Sequence, residues 1–187
     1  LSRAGIEVDR YYASEVDKYA INVTQANYPD TVQLGDITKV WEGYCPGIDL
    51  LIGGSPCQGF SFAGKQLNFD DPRSKLFWEF VRLNNELKPK YFLLENVRMK
   101  QEYQDVISEA LGVEPININS NLVSTQNRNR YYWTNIPVDG IPEDKGIFLK
   151  DILECGVDDS FNSNGDSHIG GNQLSSKYKS QANTIHP

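Results

Sequence analysis

Cysteine, histidine and methionine are all scarce in this chain of 187 residues. Its three cysteines, Cys45, Cys57 and Cys155, sit at wide and irregular spacing, and its two histidines are His168 and His186. An odd cysteine count without a framework pattern speaks against a disulfide-stapled secreted domain and for a reducing compartment. With no CxxC or HxxxH spacing, no metal site is expected. A Cys–His hydrolase is also disfavoured, because both histidines fall in a C-terminal stretch of low regularity. No apolar run approaches the roughly 20 residues that a membrane span needs, and no signal peptide opens the chain. Excess positive charge is missing too. Lys and Arg number 18 against 25 Asp and Glu, a formal charge of −7, which excludes a wholly basic polyanion binder. The deficit is local: from Asp139 to His168, eight acids face two lysines, which contributes −6 and leaves the rest at −1. The body of the chain is near neutral, so a local nucleic-acid groove stays open.

What is present is the texture of a folded domain. Hydrophobic residues make up 39% and aromatic residues 11%, enough to bury one core and too much for a disordered chain. From Ile6 to about Asn135 strand and helix patterns alternate. Val8 to Ser14 reads as a strand. Asp17 to Tyr28 reads as a helix, with Tyr19/Ala20, Val23 and Ala26/Asn27 at helical spacing, Asp17 as cap and Pro29 as stop. Val32 to Leu34 is a short strand, and Ile48 to Ile52 a continuous apolar strand closed by Gly53-Gly54. An amphipathic helix over Pro72 to Leu87 leads to a buried strand, Tyr91 to Leu94, and a helix over Gln101 to Leu111 stops at Gly112. Ile116 to Val123 and Tyr131 to Ile136 leave no room for a helix between them and read as a closing hairpin. Such alternation predicts a mostly parallel sheet covered by helices, with ligands beyond the C-terminal strand ends. Three of those ends carry unusual residues: Glu15, Gly53 to Cys57, and Glu95-Asn96. After Pro137 the texture turns to Gly, Asn, Ser and Asp. The expected division is therefore a catalytic domain over 1–137, then a linker and the start of a recognition region over 138–187.

Three segments could carry chemistry. In Gly53-Gly-Ser-Pro-Cys-Gln-Gly-Phe-Ser61, Cys57 is either a small core residue or a nucleophile held just past a strand end. In Leu94-Glu-Asn-Val97, an acid directly after an apolar strand is a cap, an ion-pair partner or a working group. In Gln126-Asn-Arg-Asn-Arg130, two arginines at i and i+2 point the same way from an extended chain, which suits a base or phosphate contact.

Pro56-Cys-Gln, Glu95-Asn-Val and Gln126-x-Arg-x-Arg130, in this order and at these intervals, resemble the C5-cytosine DNA methyltransferases. Ser14-Glu-Val-Asp17, Gly35-Asp-Ile37, and Gly64-Lys-Gln66 through Leu76-Phe77 agree with further motifs of that family, so the resemblance spans about residues 1 to 136. It implies a Rossmann-like α/β fold that uses S-adenosylmethionine, releases S-adenosylhomocysteine and needs no metal. Glu15 and Val16 would belong to the ribose-binding segment, and Asp36 would accept from the adenine amine. Ile37 and Leu76 would pack on the adenine ring, and Pro56 would line the cofactor site. Cys57 would add to C6 of a cytosine flipped out of double-stranded DNA, Glu95 would protonate N3, and Arg128 and Arg130 would hold the O2 edge. The implied setting is the cytoplasm of a bacterium or phage-infected cell, with a cognate restriction endonuclease as a potential partner and no membrane. A tRNA-modifying enzyme of the same fold and an inactive DNA-binding or regulatory fragment are the alternatives. The chain opens on Leu1, in what reads as a helix ending at Gly5. The family's Gly-rich cofactor loop and its C-terminal motif find no counterpart, so a fragment is expected.

Overall fold

A computed structural model describes residues 1, 4–55 and 75–152. Two compact units divide the chain: residues 1–115 with 133–136, and residues 116–132 with those from 137 onward. Six strands and three α-helices are found among the described residues. In chain order they are β1 (Tyr12–Ala13), α1 (Lys18–Asn27), β2 (Val32–Gln33), β3 (Leu50–Gly54), α2 (Lys75–Leu87), β4 (Tyr91–Val97), α3 (Gln101–Leu111), β5 (Ile116–Asn119) and β6 (Asn129–Thr134). β1 and β2 pair in parallel as a separate ribbon, while the other strands form a sheet in the order β3-β4-β6-β5. β3 and β4 run parallel with Gly54 opposite Glu95, and β5 and β6 run antiparallel with Asn119 opposite Asn129. The expected α/β architecture, parallel with an antiparallel closing hairpin, is the one observed.

Several boundaries differ from the sequence reading. Of the strand expected over Val8 to Ser14, only Tyr12–Ala13 pairs, because β2 offers just two residues to pair with. Near the start, the Ala4 and Ile6 N–H groups both donate to the Leu1 carbonyl. β4 runs three residues past Leu94, so Glu95 and Asn96 lie within the strand and not after it. β5 stops at Asn119, where the chain turns into a short 3-10 segment, Ser120–Leu122, instead of continuing to Val123.

The core of the first unit follows from alternation and helical spacing. On β4, Phe92, Leu94 and Asn96 are buried while Tyr91, Leu93, Glu95 and Val97 are half-buried, the period of two that a sheet with unequal faces imposes. Phe77, Phe80 and Leu83 of α2 are buried at i, i+3 and i+6. Phe80 lies so close to β3 that a Cβ on Gly53 would meet its ring at 2.5 Å. Gly53 is therefore required for helix α2 to reach the strand. A further cluster of Val40, Cys45 and Leu83 gathers Tyr12, Leu34, Ile37, Ile48, Leu51 and Leu87 around it. α3 buries Gln104, Ile107, Ser108 and Leu111 and stops at Gly112, whose φ of 70° closes the last turn. Trp133 is fully buried, and its indole N–H donates to the Ser108 hydroxyl at 3.0 Å. No helix among the described residues is long and apolar enough to cross a membrane.

Candidate functional site

Two acids emerge side by side from the β1–β2 ribbon. The strands are parallel, with Ala13 opposite Gln33, so both C-terminal ends lie at the same edge. The Ser14 hydroxyl donates to the Gly35 carbonyl at 2.6 Å and ties the two exits together. Gly35 has a φ of 74°, a left-handed turn that a side chain would strain. Half-buried Glu15 uses one oxygen, Oε1, to accept from the Val16 and Asp17 N–H groups at 2.7 and 2.9 Å. Asp17 then caps α1 by accepting from Tyr19 and Ala20. Asp36 likewise uses one oxygen, Oδ1, accepting from the Thr38 N–H and hydroxyl at 3.0 and 2.8 Å. Those bonds hold its carboxyl below the usual carboxylate value, the backbone bond contributing most. Each carboxylate is thus fixed by one oxygen and presents the other.

Donors of the opposite kind suit such a pair. A ribose diol offers two O–H groups and an adenine amine two N–H groups, so the acceptors present fit the adenosine part of S-adenosylmethionine. Ile37, half-buried, packs on the Val40–Cys45–Leu83 cluster. Leu76 is half-buried in the first turn of α2, whereas Val16 is 73% exposed. The sequence reading missed Arg82, whose Nη2 donates to the Ile37 and Val40 carbonyls at 3.1 and 2.9 Å. Arg82 also pairs with Glu79 and Glu86 at i−3 and i+4, so its sequence context looks like an ordinary solvated helix face.

β3 and β4 supply the second group of residues. Their register sets Glu95 opposite Gly54, and a Cβ at Gly54 would stand 3.5 Å from Glu95 Oε2. Asn96, 1% exposed, points to the other face and donates to the Ser55 hydroxyl at 2.8 Å, while its Oδ1 accepts from the Val97 N–H. A polar residue in the Phe92–Leu94–Asn96 alternation was the available signal for this buried bond. Pro56 and Cys57 follow Ser55 directly in the chain and lie outside the described residues. Cys45 is buried, and burial pushes its thiol up, which suits a core residue and not a thiolate. No group of three or more His, Cys, Asp or Glu among the described residues is arranged to hold a metal ion.

In the second unit, Arg128 lies just before β6 and Arg130 within it. Arg128 is exposed and Arg130 half-buried. The Arg128 N–H donates to Asn119 Oδ1 at 3.1 Å, and an Arg130 guanidinium nitrogen donates to the Asn129 carbonyl at 2.8 Å.

A mostly parallel sheet, beside a parallel ribbon with acids fixed at its two adjacent strand ends, defines a Rossmann-like α/β domain. The family model for the C-5 cytosine-specific DNA methylase matches residues 1–111, and the chain belongs to that family. It is 51% identical over 92 residues to the type II methyltransferase M1.ScrFI of Lactococcus lactis subsp. cremoris, covering 49% of this chain and 23% of that protein. Against the type II methyltransferase M.NlaIV of Neisseria lactamica it is 36% identical over 171 residues, covering 78% and 40% respectively. A crystal structure of a DNA modification methyltransferase encoded within an E. coli prophage matches with TM-score 0.58 and 32% identity, over 71% of this chain and 41% of that one. The chain spans about two-fifths or less of the length of these relatives.

Proposed function

We propose that the protein transfers a methyl group to C5 of cytosine in DNA. The observation that carries this is the β3–β4 register: Glu95 stands opposite Gly54, three residues before Cys57 in the chain. Cytosine C5 is a weak nucleophile. Addition of the Cys57 thiolate to C6 forms a C–S bond and turns the ring into an enamine whose C5 can attack. Glu95 gives a proton to N3 as charge builds there, and Arg128 and Arg130 hold the O2 edge. A base then takes the C5 proton, the C6–S bond breaks, the ring's C5–C6 double bond returns, and N3 gives its proton back to Glu95. S-adenosylmethionine, when bound, supplies the electrophilic methyl group and leaves as S-adenosylhomocysteine. Glu15 and Asp36 would hold its ribose and adenine, and Ile37 and Leu76 would supply apolar surface for the ring. Double-stranded DNA is the substrate, with the target base flipped out of the stack. A cognate restriction endonuclease is the proposed partner, and the cytoplasm of a bacterial or phage-infected cell the proposed setting.

The test uses the full-length gene product and DNA carrying 5-fluorocytosine. Fluorine cannot leave C5 as a proton does, so the Cys57 adduct accumulates and is visible as a shifted band. Cys57→Ala abolishes it. Glu95→Gln lowers methyl transfer by about 10²-fold or more while keeping DNA binding. Loss of the adduct in Cys45→Ala instead would assign the wrong nucleophile, and wild-type turnover in Glu95→Gln would reduce that residue to a structural role.

A further inference from the structure

Asn119 stands where β5 ends, and its side chain is half-buried beneath the loop that returns to β6. Its Oδ1 accepts from two backbone N–H groups, Asn121 at 3.2 Å and Arg128 at 3.1 Å. Its Nδ2 donates to Asn127 Oδ1 at 2.7 Å. The next residue continues the same work: the Ser120 N–H donates to the Arg128 carbonyl at 3.1 Å, and the Ser120 hydroxyl donates to the Gln126 carbonyl at 2.6 Å. Across the loop, the Ser124 hydroxyl donates to the Ser120 carbonyl at 2.9 Å. Gln126 is therefore fastened to Ser120, Asn127 to Asn119, and Arg128 to both of these consecutive residues at the end of β5. Only an amide can accept twice on one atom and donate from the other at this length.

We propose that Asn119 is a positioning residue for the target base: it fixes the backbone from which Arg128 projects, and Arg130 two residues on. The inference rests on the cytosine-methylating reading above for what the arginines hold, and on the hydrogen bonds alone for how they are held. An arginine has about 2 kcal/mol of rotamer freedom to lose, so a base contact is specific only if the stem starts from a fixed point. The Asn119 amide, which accepts from the Arg128 N–H, supplies that point.

Two substitutions separate positioning from simple loss of structure. Asn119→Asp keeps both acceptances, and Asn127 can rotate its amide to donate in place of accepting. Asn119→Leu keeps the volume and removes every bond. In the full-length gene product, amide hydrogen exchange at residues 119–130 is read by mass spectrometry, with α3 as the control for folding. Single-turnover methyl transfer to DNA is measured in parallel. Expected for Asn119→Leu is faster exchange in 119–130 and unchanged exchange in α3. Its methyl-transfer rate falls by about 10²-fold, the scale of a misplacement near 1 Å, while the KM for S-adenosylmethionine holds. Asn119→Asp stays within about threefold of wild type in rate, since both backbone acceptances remain and the rotated Asn127 amide restores the third bond. Unchanged loop exchange in Asn119→Leu, or an Asp variant as damaged as the Leu variant, overturns the proposal. So does a loosened loop with full methyl transfer. A wild-type protein that methylates no cytosine defeats the functional reading alone, and the exchange comparison still decides whether Asn119 sets the loop.

Discussion

Helices α1 and α3 have nearly the same length, 10 and 11 residues, and both carry apolar residues at helical spacing. Their fates differ. α3 buries Gln104, Ile107, Ser108 and Leu111, and α1 buries nothing. Tyr19 and Val23 of α1, apolar neighbours one turn apart, are 69% and 64% exposed. The face of α1 that is half-buried carries Ile21, Thr24 and Gln25, and Gln25 accepts from Gln33 of β2 at 3.0 Å. Tyr19, Val23 and Ala26, which the sequence places at helical spacing, lie on the exposed face. Periodicity tells which residues share a face, and it cannot tell whether another element covers them. The two halves of the proposed chemistry inherit this contrast. Glu95 sits on a strand whose opposite face is packed, whereas Glu15 and Asp36 sit beside a helix held by caps and polar bonds.

The sharpest way to break the comparison is at the packed end. Trp133→Ala removes a fully buried ring and leaves the Ser108 hydroxyl without its indole donor. Large-to-small changes of this kind cost about 3–5 kcal/mol, a large share of a domain's usual stability. Urea unfolding followed by circular dichroism should show the midpoint collapse. Trp133→Phe, which keeps most of the packing, should cost less, about 1 kcal/mol for the lost hydrogen bond, since the Ser108 hydroxyl keeps its bond to Glu114. A midpoint unmoved by the alanine variant would mean that α3 and β6 do not share a core.

At the weak end a cap matters more than an apolar side chain. Asp17→Ala removes acceptance from the Tyr19 and Ala20 N–H groups at 2.7 and 3.2 Å and should cost about 1 kcal/mol. Its effect should be local, appearing as faster hydrogen exchange within α1. Val23→Ala, by contrast, should stay within about 0.5 kcal/mol of wild type, as surface changes usually do. A loss above 1 kcal/mol at Val23 would show that something covers this face, and the contrast between the helices would shrink.

How much was legible follows the same physics. Buried strands announce themselves by composition, and β3 and β4 were found nearly in place. Glu15 and Glu95 stood out because an acid at or just past an apolar strand conflicts with burial and calls for a reason, whereas Asp36 was singled out by the family resemblance. The length of β1 was not, since pairing depends on what the neighbouring strand offers. Arg82 was hidden by its flanking glutamates, and Asn119 by sitting among several asparagines and serines, any of which turns a chain. Long-range hydrogen bonds of this sort leave no period in a sequence.

The smallest expected effect concerns Asp36, at the uncovered end. Its carboxylate accepts from Thr38 twice, and these bonds depress its folded-state value below the ordinary 3.8. A depressed carboxyl adds stability that is present above the unfolded value and is lost as pH falls through the folded one. Between neutral pH and about 4 the turn over Ile37–Lys39 should therefore be unchanged, with both bonds in place. As pH drops further, protonation removes the charge that strengthens both bonds, and the Thr38 amide should move toward solvent-like shift and exchange. The Thr38 amide resonance, followed by NMR from pH 6 to pH 2, should titrate with a midpoint below 3.8. Asp36→Asn, which keeps an acceptor and has no charge to lose, should flatten the curve. A midpoint above that of an ordinary aspartate would mean burial, not hydrogen bonding, dominates at Asp36. The uncovered end would then be better packed than its exposed helix indicates, and the distinction drawn between α1 and α3 would fail at this residue.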